Sequence, residues 1–367
     1  MITLPRSLTR LGAGPIARAT PAFENAVRPP LRAFTSAPRH HGTLPKGVLA
    51  ASRTAASLSG STGAAAAASP SASRASAGFT PASSSRSSST AAAPPAAKTA
   101  AGTPGSDVIR EFSLAGKTII VSGAGRGLGL VQAEALLEAG ATVYALDRLT
   151  TPSSEFARVQ EKAVSLGTRL EYARVDVRDV DMLKEVVDGI AEKGGGIDGL
   201  IAAAGIQQET PAIDYAAEDA NRMFEINVTG VFMTAQAVAR HMIASGKGGS
   251  IVLIGSMSGT IANRGLICPA YNASKAAVLQ LTRNLASEWG VHNIRVNSLS
   301  PGYIVTQMVT ELFESFPERE TDWPSQNMLG RLSSPEEYRG AAVFLLSDAS
   351  SFMTGSDLRM DGGHSSW

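Results

Sequence analysis

Apolar residues gather in short continuous runs along the C-terminal two-thirds of the chain, separated by longer amphipathic stretches. The runs fall at 118–122, 141–147, 170–177, 199–204, 250–256, 294–300 and 357–361, mostly Val, Ile, Leu and Ala. A short apolar run without polar alternation predicts a strand covered on both faces. Between the runs, apolar residues at helical spacing predict helices at about 127–139, 154–166, 179–193, 217–245, 270–289 and 335–347. This alternation predicts an α/β fold, a Rossmann-type doubly wound parallel sheet of about seven strands in a single domain. Ligands of such sheets sit beyond the carboxyl ends of the strands. Gly123, Asp147, Asp176, Ala204, Ser256 and Pro301 all fall at or just past those ends, so the pattern gathers them on one edge.

Composition divides the chain near residue 107. The first 106 residues hold eleven Lys or Arg and one acid, Glu24. Of the 33 basic and 32 acidic residues in the whole chain, the remainder therefore holds 22 and 31, and the overall net charge of +1 conceals an acidic C-terminal part near −9. An acid-poor start with spaced arginines (Arg6, Arg10, Arg18, Arg28, Arg32) resembles a mitochondrial transit peptide over 1–45, with Arg32-Ala33-Phe34-Thr35-Ser36 as its cleavage region. That reading places the protein in the matrix. A plain low-complexity tail would leave it in the cytoplasm. Residues 46–106 are mostly Ala, Ser, Gly, Pro and Thr, too poor in large apolar groups to offset ordering entropy, and are expected to be a disordered linker. The 261 residues from Asp107 onward are enough for one domain, 107–367, with a full core.

Several function classes drop out. No apolar run approaches the roughly 18 residues of a membrane span. The single cysteine, Cys268, precludes an intrachain disulfide or a Cys-x-x-Cys redox pair, and its bland reading is loop packing. His40, His41, His241, His292 and His364 show no zinc-ligand spacing, so no metal is expected. Nothing points to nucleic acid.

The first strand runs directly into Gly123-Ala124-Gly125-Arg126-Gly127-Leu128-Gly129 and then a helix that stops at Gly140. Glycines there allow a backbone to approach a pyrophosphate, which then sits on the free N–H groups and positive dipole end of the helix. The second strand ends in Asp147, 18 residues after Gly129, where a carboxylate can accept hydrogen bonds from an adenine ribose. Asp147 would repel a 2′-phosphate, so NAD is expected over NADP; Arg126 and Arg148 are either 2′-phosphate ligands or exposed basic residues.

Tyr271 and Lys275 lie four residues apart, which on a helix sets a phenol beside an ammonium. Holding a Tyr of pKa about 10 as phenolate at about pH 7 costs roughly 4 kcal/mol, and a positive charge about 4 Å away at an effective dielectric of about 20 returns a comparable amount. Lys275 is therefore expected to lower the Tyr271 pKa.

Gly123, Gly127, Gly129, Asn227, Ser256, Tyr271-x-x-x-Lys275 and Pro301-Gly302, in that order, resemble the short-chain dehydrogenase/reductase family over about 112–367. The resemblance implies NAD(P)-dependent hydride transfer. It makes Tyr271 the acid/base, Lys275 its tuner and a holder of the nicotinamide ribose, Ser256 the group that orients the substrate oxygen, and Asn227 support for a proton-relay water. It also implies cofactor contacts from Gly123, Arg126, Gly127, Leu128, Gly129, Asp147, Arg148, the adenine-contacting pair Asp176 and Val177, Ala204, Tyr271, Lys275, Pro301, Gly302, Ile304 and Thr306. Two departures stand out. The family's amide after the fourth strand is replaced in Ala202-Ala203-Ala204-Gly205, and Ser256 lies fifteen residues before Tyr271, two more than is common, which leaves Ser258 as a rival.

Within the family, Ser256-Met257-Ser258-Gly259, Pro269 to Lys275 and Ser300 to Thr306 resemble fungal polyol dehydrogenases and ketose reductases of the D-arabinitol 2-dehydrogenase type. That implies a small polyol or ketose as substrate, D-arabinitol to D-ribulose in the first instance, with Gln207, Asn263 and Tyr303 as candidate hydroxyl partners. The alternatives are a mitochondrial 3-oxoacyl thioester reductase, which would need a basic entrance for its carrier, and a catalytically silent nucleotide-binding protein. Thr306 to Phe316 looks like a lid. Glu288, Trp289, Leu345, Leu346 and the C-terminal segment match regions that pack subunits, so a homotetramer is expected.

Overall fold

The computed structural model describes residues 109–367. The transit peptide and linker readings, 1–45 and 46–106, lie outside the described residues. Seven strands form one parallel sheet: β1 (Thr118–Ser122), β2 (Thr142–Asp147), β3 (Arg169–Arg174), β4 (Gly199–Ala202), β5 (Gly249–Ile254), β6 (Ile294–Pro301) and β7 (Asp357–Met360). Their order is β3-β2-β1-β4-β5-β6-β7. Each predicted strand is present, and the doubly wound reading holds.

Successive residues of β1 show why the runs are continuous rather than alternating. Ile119 and Val121 face one helical layer together with Val143, Ala145, Leu136 and Leu137. Ile120 faces the other with Tyr144, Leu146, Leu200 and Val187. Helices α1 (Gly127–Glu138) and α2 (Ser154–Ser165) cover the first face, and α3 (Val180–Gly194) covers the second. A sheet covered on both faces excludes water from every position of its central strands, which selects apolar residues throughout.

The predicted helix 217–245 is interrupted. It comprises α4 (Ala217–Phe224) and α5 (Val231–Ser245), joined through a π-helical segment, Glu225–Gly230. Such wide turns hold one residue more than the α ladder and favour functional positions. Apolar spacing stays in phase through the segment, so periodicity alone did not reveal it. Helix α6 (Pro269–Trp289) follows β5, and α7 (Gln307–Ser315) is the predicted lid helix. A further helix, α8 (Glu318–Ser325), was not anticipated, because its charged sequence carries no apolar stripe. The last helix is shorter than predicted: a single turn at Pro335–Tyr338 leads into α9 (Arg339–Leu346).

Strand order reverses between β1 and β4, so connections leave this pair toward opposite faces and open a crevice at their carboxyl ends. Leu345 and Leu346, read as subunit-packing residues, are 0% and 2% exposed and belong to the chain's own core. Among the described residues no helix is long and apolar enough to cross a membrane.

Candidate active site

The crevice is lined first by the glycine turn. Gly123 has φ +69°, and a Cβ there would lie 2.8 Å from the Ala204 nitrogen and 2.9 Å from the Ala203 oxygen. Gly129 is more constrained still, since its Cβ would come within 2.3 Å of the Gly123 carbonyl oxygen. The first contact brings the end of β1 against the β4 exit, and the second seats the start of α1 on the turn. The residue preceding α1, Arg126, is extended and exposed, and no side chain caps the helix. The free N–H groups of the first turn therefore remain available, and the bare backbone fits a dinucleotide pyrophosphate. Leu128 is partly buried against the core beneath the turn.

Asp147 closes the turn's far side. Its Oδ2 accepts from the Gly125 N–H at 2.9 Å and its Oδ1 from the Leu149 N–H at 3.2 Å. Arg148 is exposed. Asp176 lies two residues past the end of β3 and pairs with Arg178 at 2.7 Å, a contact that holds its carboxyl below the usual range. It is not the helix cap; Asp179 serves α3, accepting from the Met182 N–H. Val177 is buried against Gly230. Where the family amide is absent, the Ala204 N–H donates instead to Ser122 Oγ at 3.3 Å.

Pro269 occupies the first turn of α6, where its missing N–H is harmless, and the helix carries Tyr271 and Lys275 one turn apart. The Lys275 ammonium lies 5.7 Å from the Tyr271 ring centroid and donates to the Ile254 carbonyl at 2.7 Å. Burial pushes the Tyr271 phenol up to about 12, partly opposed by a hydrogen bond with Ser256. Burial also pulls Lys275 down to about 8. The net shift of Tyr271 is therefore upward, opposite to the lowering expected from Lys275. Desolvation outweighs the pair, and the ammonium is directed at the end of β5.

Of the two serines, Ser256 is the one whose hydroxyl acts on the Tyr271 phenol and lowers its pKa against the rise from burial. It stands in extended conformation just past β5, and its Oγ accepts from the Ser258 N–H at 3.1 Å. Ser258 sits within the tight turn Met257–Gly259, whose last residue packs so closely on α6 that a Cβ would lie 2.8 Å from the Lys275 carbonyl carbon. The extra loop residues thus follow the serine.

Asn227 lies in the π-helical segment and is fully buried. Its Oδ1 accepts from the Ile206 N–H at 2.8 Å, and its Nδ2 donates to the Ile206 carbonyl at 2.9 Å and to Ser274 Oγ at 3.0 Å. The side chain fastens the β4 exit to α6. A Cβ on Gly205 would lie 3.3 Å from Asn227 Oδ1 and 3.8 Å from Lys275 Nζ, so these groups share one small space.

The mouth of the crevice comes from the long loops. The Gly302 N–H donates to the Met360 carbonyl at 3.0 Å, Ile304 bridges to Ser333, and Thr306 caps α7 through Val309. Tyr303 stacks on Trp323 at 4.2 Å and receives a hydrogen bond from Asn263 at 3.3 Å, and Asn263 accepts from Asn272, the neighbour of Tyr271. Trp323, Arg319, Glu209 and Ser274 were not singled out from the sequence. A buried tryptophan within the charged run of α8 was the one available signal. Cys268 donates to Asn272 at 3.0 Å, and burial pushes its thiol up to about 11, as loop packing requires. A cavity of about 190 Å³ behind Tyr303 is lined by Asn327, Met360 and His364. Among the described residues no cluster of His, Cys, Asp or Glu could hold a metal ion.

Residues 123–365 match the family model described as enoyl-(acyl carrier protein) reductase. A short-chain dehydrogenase/reductase of Aspergillus versicolor, notP′, is 43% identical over 276 residues, 74% of this chain and 94% of its own. The ribulose-forming D-arabinitol 2-dehydrogenase of Candida tropicalis is 36% identical over 272 residues, 71% and 96% of the two chains. Among solved structures, a gluconate 5-dehydrogenase from Burkholderia cenocepacia J2315, in complex with NADP and tartrate, superposes with a TM-score of 0.63. It is 35% identical, covering 70% of this chain and 98% of that one.

Proposed function

Because the chain belongs to the short-chain dehydrogenase/reductase family of NAD(P)-dependent oxidoreductases, we propose that it interconverts a polyol and its ketose, D-arabinitol and D-ribulose in the first instance. The observation that carries this reading is the placement of Tyr271 with the Lys275 ammonium 5.7 Å from its ring and of Ser256 just past β5, on the same sheet edge as the glycine turn. The cofactor, when bound, supplies the hydride acceptor. Tyr271 takes the proton of the substrate hydroxyl as the carbinol C–H bond breaks, so one alcohol becomes one ketone, one reduced cofactor and one released proton. Ser256 holds the substrate oxygen against Tyr271. Lys275 sets a positive charge one turn below the phenol and favours phenolate once the site is filled. Asn227 positions the β4 exit rather than presenting a free amide.

The polyol assignment is supported by the arabinitol relative and by amide and hydroxyl groups at the mouth, Asn263 and Tyr303 among them. A spectrophotometric screen of NAD and NADP reduction across pentitols and hexitols tests it. Turnover confined to acetoacetyl thioesters would replace it with the second reading, which the description of the family model favours and the acidic balance of 107–367 opposes. Cofactor binding with no turnover of either class would leave a silent nucleotide-binding protein. We further read the basic N-terminal segment as a mitochondrial address, which diffuse cytosolic signal from a 1–45 reporter fusion would remove. Assembly as a homotetramer is proposed too, and light scattering that shows only monomer at micromolar concentration would end it.

A further inference from the structure

We propose that the Glu209–Arg319 ion pair sets the charge class of the substrate, closing the crevice mouth as a neutral clasp that admits an uncharged polyol and turns away an aldonate. The inference rests on the polyol reading above and adds which residues enforce it.

Glu209 comes from the segment after β4 and Arg319 from α8, 110 residues apart in sequence. The guanidinium donates twice to the carboxylate, Nη1 to Oε1 at 2.9 Å and Nη2 to Oε2 at 2.8 Å. Side-chain exposures of 12% for Arg319 and 26% for Glu209 place the pair largely out of water. Two parallel N–H···O bonds fix both planes, which a single contact between loops would not do. Arg319 is also seated over the Phe316 ring at 4.2 Å and the Trp323 ring at 5.4 Å.

That seat connects the clasp to the reacting end. Trp323 stacks on Tyr303, Tyr303 receives Asn263, and Asn263 meets Asn272 beside Tyr271. The backbone of the same loop is sealed by the Thr210 N–H donating to the Ile267 carbonyl at 3.0 Å. The field of the pair reaches inward: Glu209 acts on the Cys268 thiol, and both Glu209 and Arg319 act on the Tyr303 phenol with opposite sign.

A substrate carboxylate entering this mouth would meet a guanidinium whose hydrogen bonds are already directed at Glu209, and a second negative charge beside it. Desolvating an anion without a free cationic partner is costly, whereas a row of hydroxyls carries no such penalty. Of the arginines on neighbouring loops, Arg331 is already paired with Glu337 at 2.7 Å, and Arg264 is exposed to solvent, where its charge is screened.

The test is kcat/KM for D-arabinitol and for D-gluconate, measured with the wild-type protein, Glu209→Gln and the double variant Glu209→Gln/Arg319→Gln. The amide keeps a hydrogen bond to Arg319 while removing the negative charge, so the gluconate-to-arabinitol ratio should rise about tenfold or more at low salt and shrink as salt is added. The double variant should return the ratio toward that of wild type. An unchanged ratio in a polyol-active Glu209→Gln overturns the clasp alone. Wild-type protein that oxidises gluconate as readily as arabinitol overturns it even where the variants fail to fold. Wild-type turnover of acyl thioesters and of no polyol overturns the polyol reading, and the clasp with it.

Discussion

Asp147 holds the glycine turn through a 2.9 Å hydrogen bond from the Gly125 N–H, and a Cβ on Gly125 would lie equally close to the same carboxylate oxygen. A 2′-phosphate arriving beside this acid meets a like charge. NAD should therefore be preferred. Asp147→Ser should lower kcat/KM for NAD by about tenfold and raise the NADP-to-NAD ratio by about 10². Equal ratios in variant and wild type would show that Asp147 acts on the turn alone.

The two shifted groups on α6 give opposite pH signatures. Lys275 titrates at about 8 when folded and 10.5 when free, so between these values the unfolded chain binds more protons and stability rises with pH. Tyr271 titrates at about 12 when folded and 10.0 when free, so across that interval the folded chain retains the proton and stability falls. The Tm of the protein measured without cofactor should accordingly peak where the two windows overlap, at about pH 10. Tyr271→Phe should remove the alkaline fall and Lys275→Met the rise that precedes it, read by calorimetry across the range.

Turnover should follow the same phenol. Alcohol oxidation requires Tyr271 without its proton and should climb with pH, while ketone reduction uses the protonated form and should not. Tyr271→Phe should lose about 10² or more in kcat in both directions. A variant retaining wild-type turnover would remove Tyr271 from the reaction.

The two serines should separate cleanly. Ser256→Ala deletes the hydroxyl proposed to hold the substrate oxygen and should cost about 10² in kcat. Ser258 contributes its backbone N–H to Ser256, which alanine retains, so Ser258→Ala should cost less than about tenfold. Equal losses would sink the assignment.

The glycines of the turn differ in what they tolerate. Gly129→Ala forces a methyl to within 2.3 Å of a carbonyl oxygen and should destabilise by about 2–4 kcal/mol, with NAD(P) binding lost in the folded fraction. Gly127 has φ +56° but open space around it, so Gly127→Ala should cost only about 1 kcal/mol. Denaturant melts of the two variants decide the point.

How much of this was legible depends on range along the chain. Ile119 to Val121 announced a doubly covered strand because burial acts on every residue there. Gly123 to Gly129 was readable because its constraint is local. Ser256 could be named but not separated from Ser258, since the choice depends on how the following turn packs against α6. The Tyr271 shift was misjudged for a related reason. Spacing fixes the distance between Tyr271 and Lys275 but not the Ile254 carbonyl that receives the ammonium or the burial of both groups. Arg319 and Glu209 were invisible, because nothing local in either segment points to a partner 110 residues away.

The wide turn at Glu225–Gly230 makes the spacing between α4 and α5 a length standard. Removing one residue from it would let the two helices merge into a single regular ladder, with no broken backbone bonds to resist the change. The same deletion would swing Asn227 about 100° around the axis, away from Ile206 and Ser274. A shortened protein of this kind would lose the fastening between the two walls of the crevice, or else turn the buried face of α5, Val231, Ala235, Val238 and Met242, out of the core. Insertions and deletions here would thus be felt by the site and the core together.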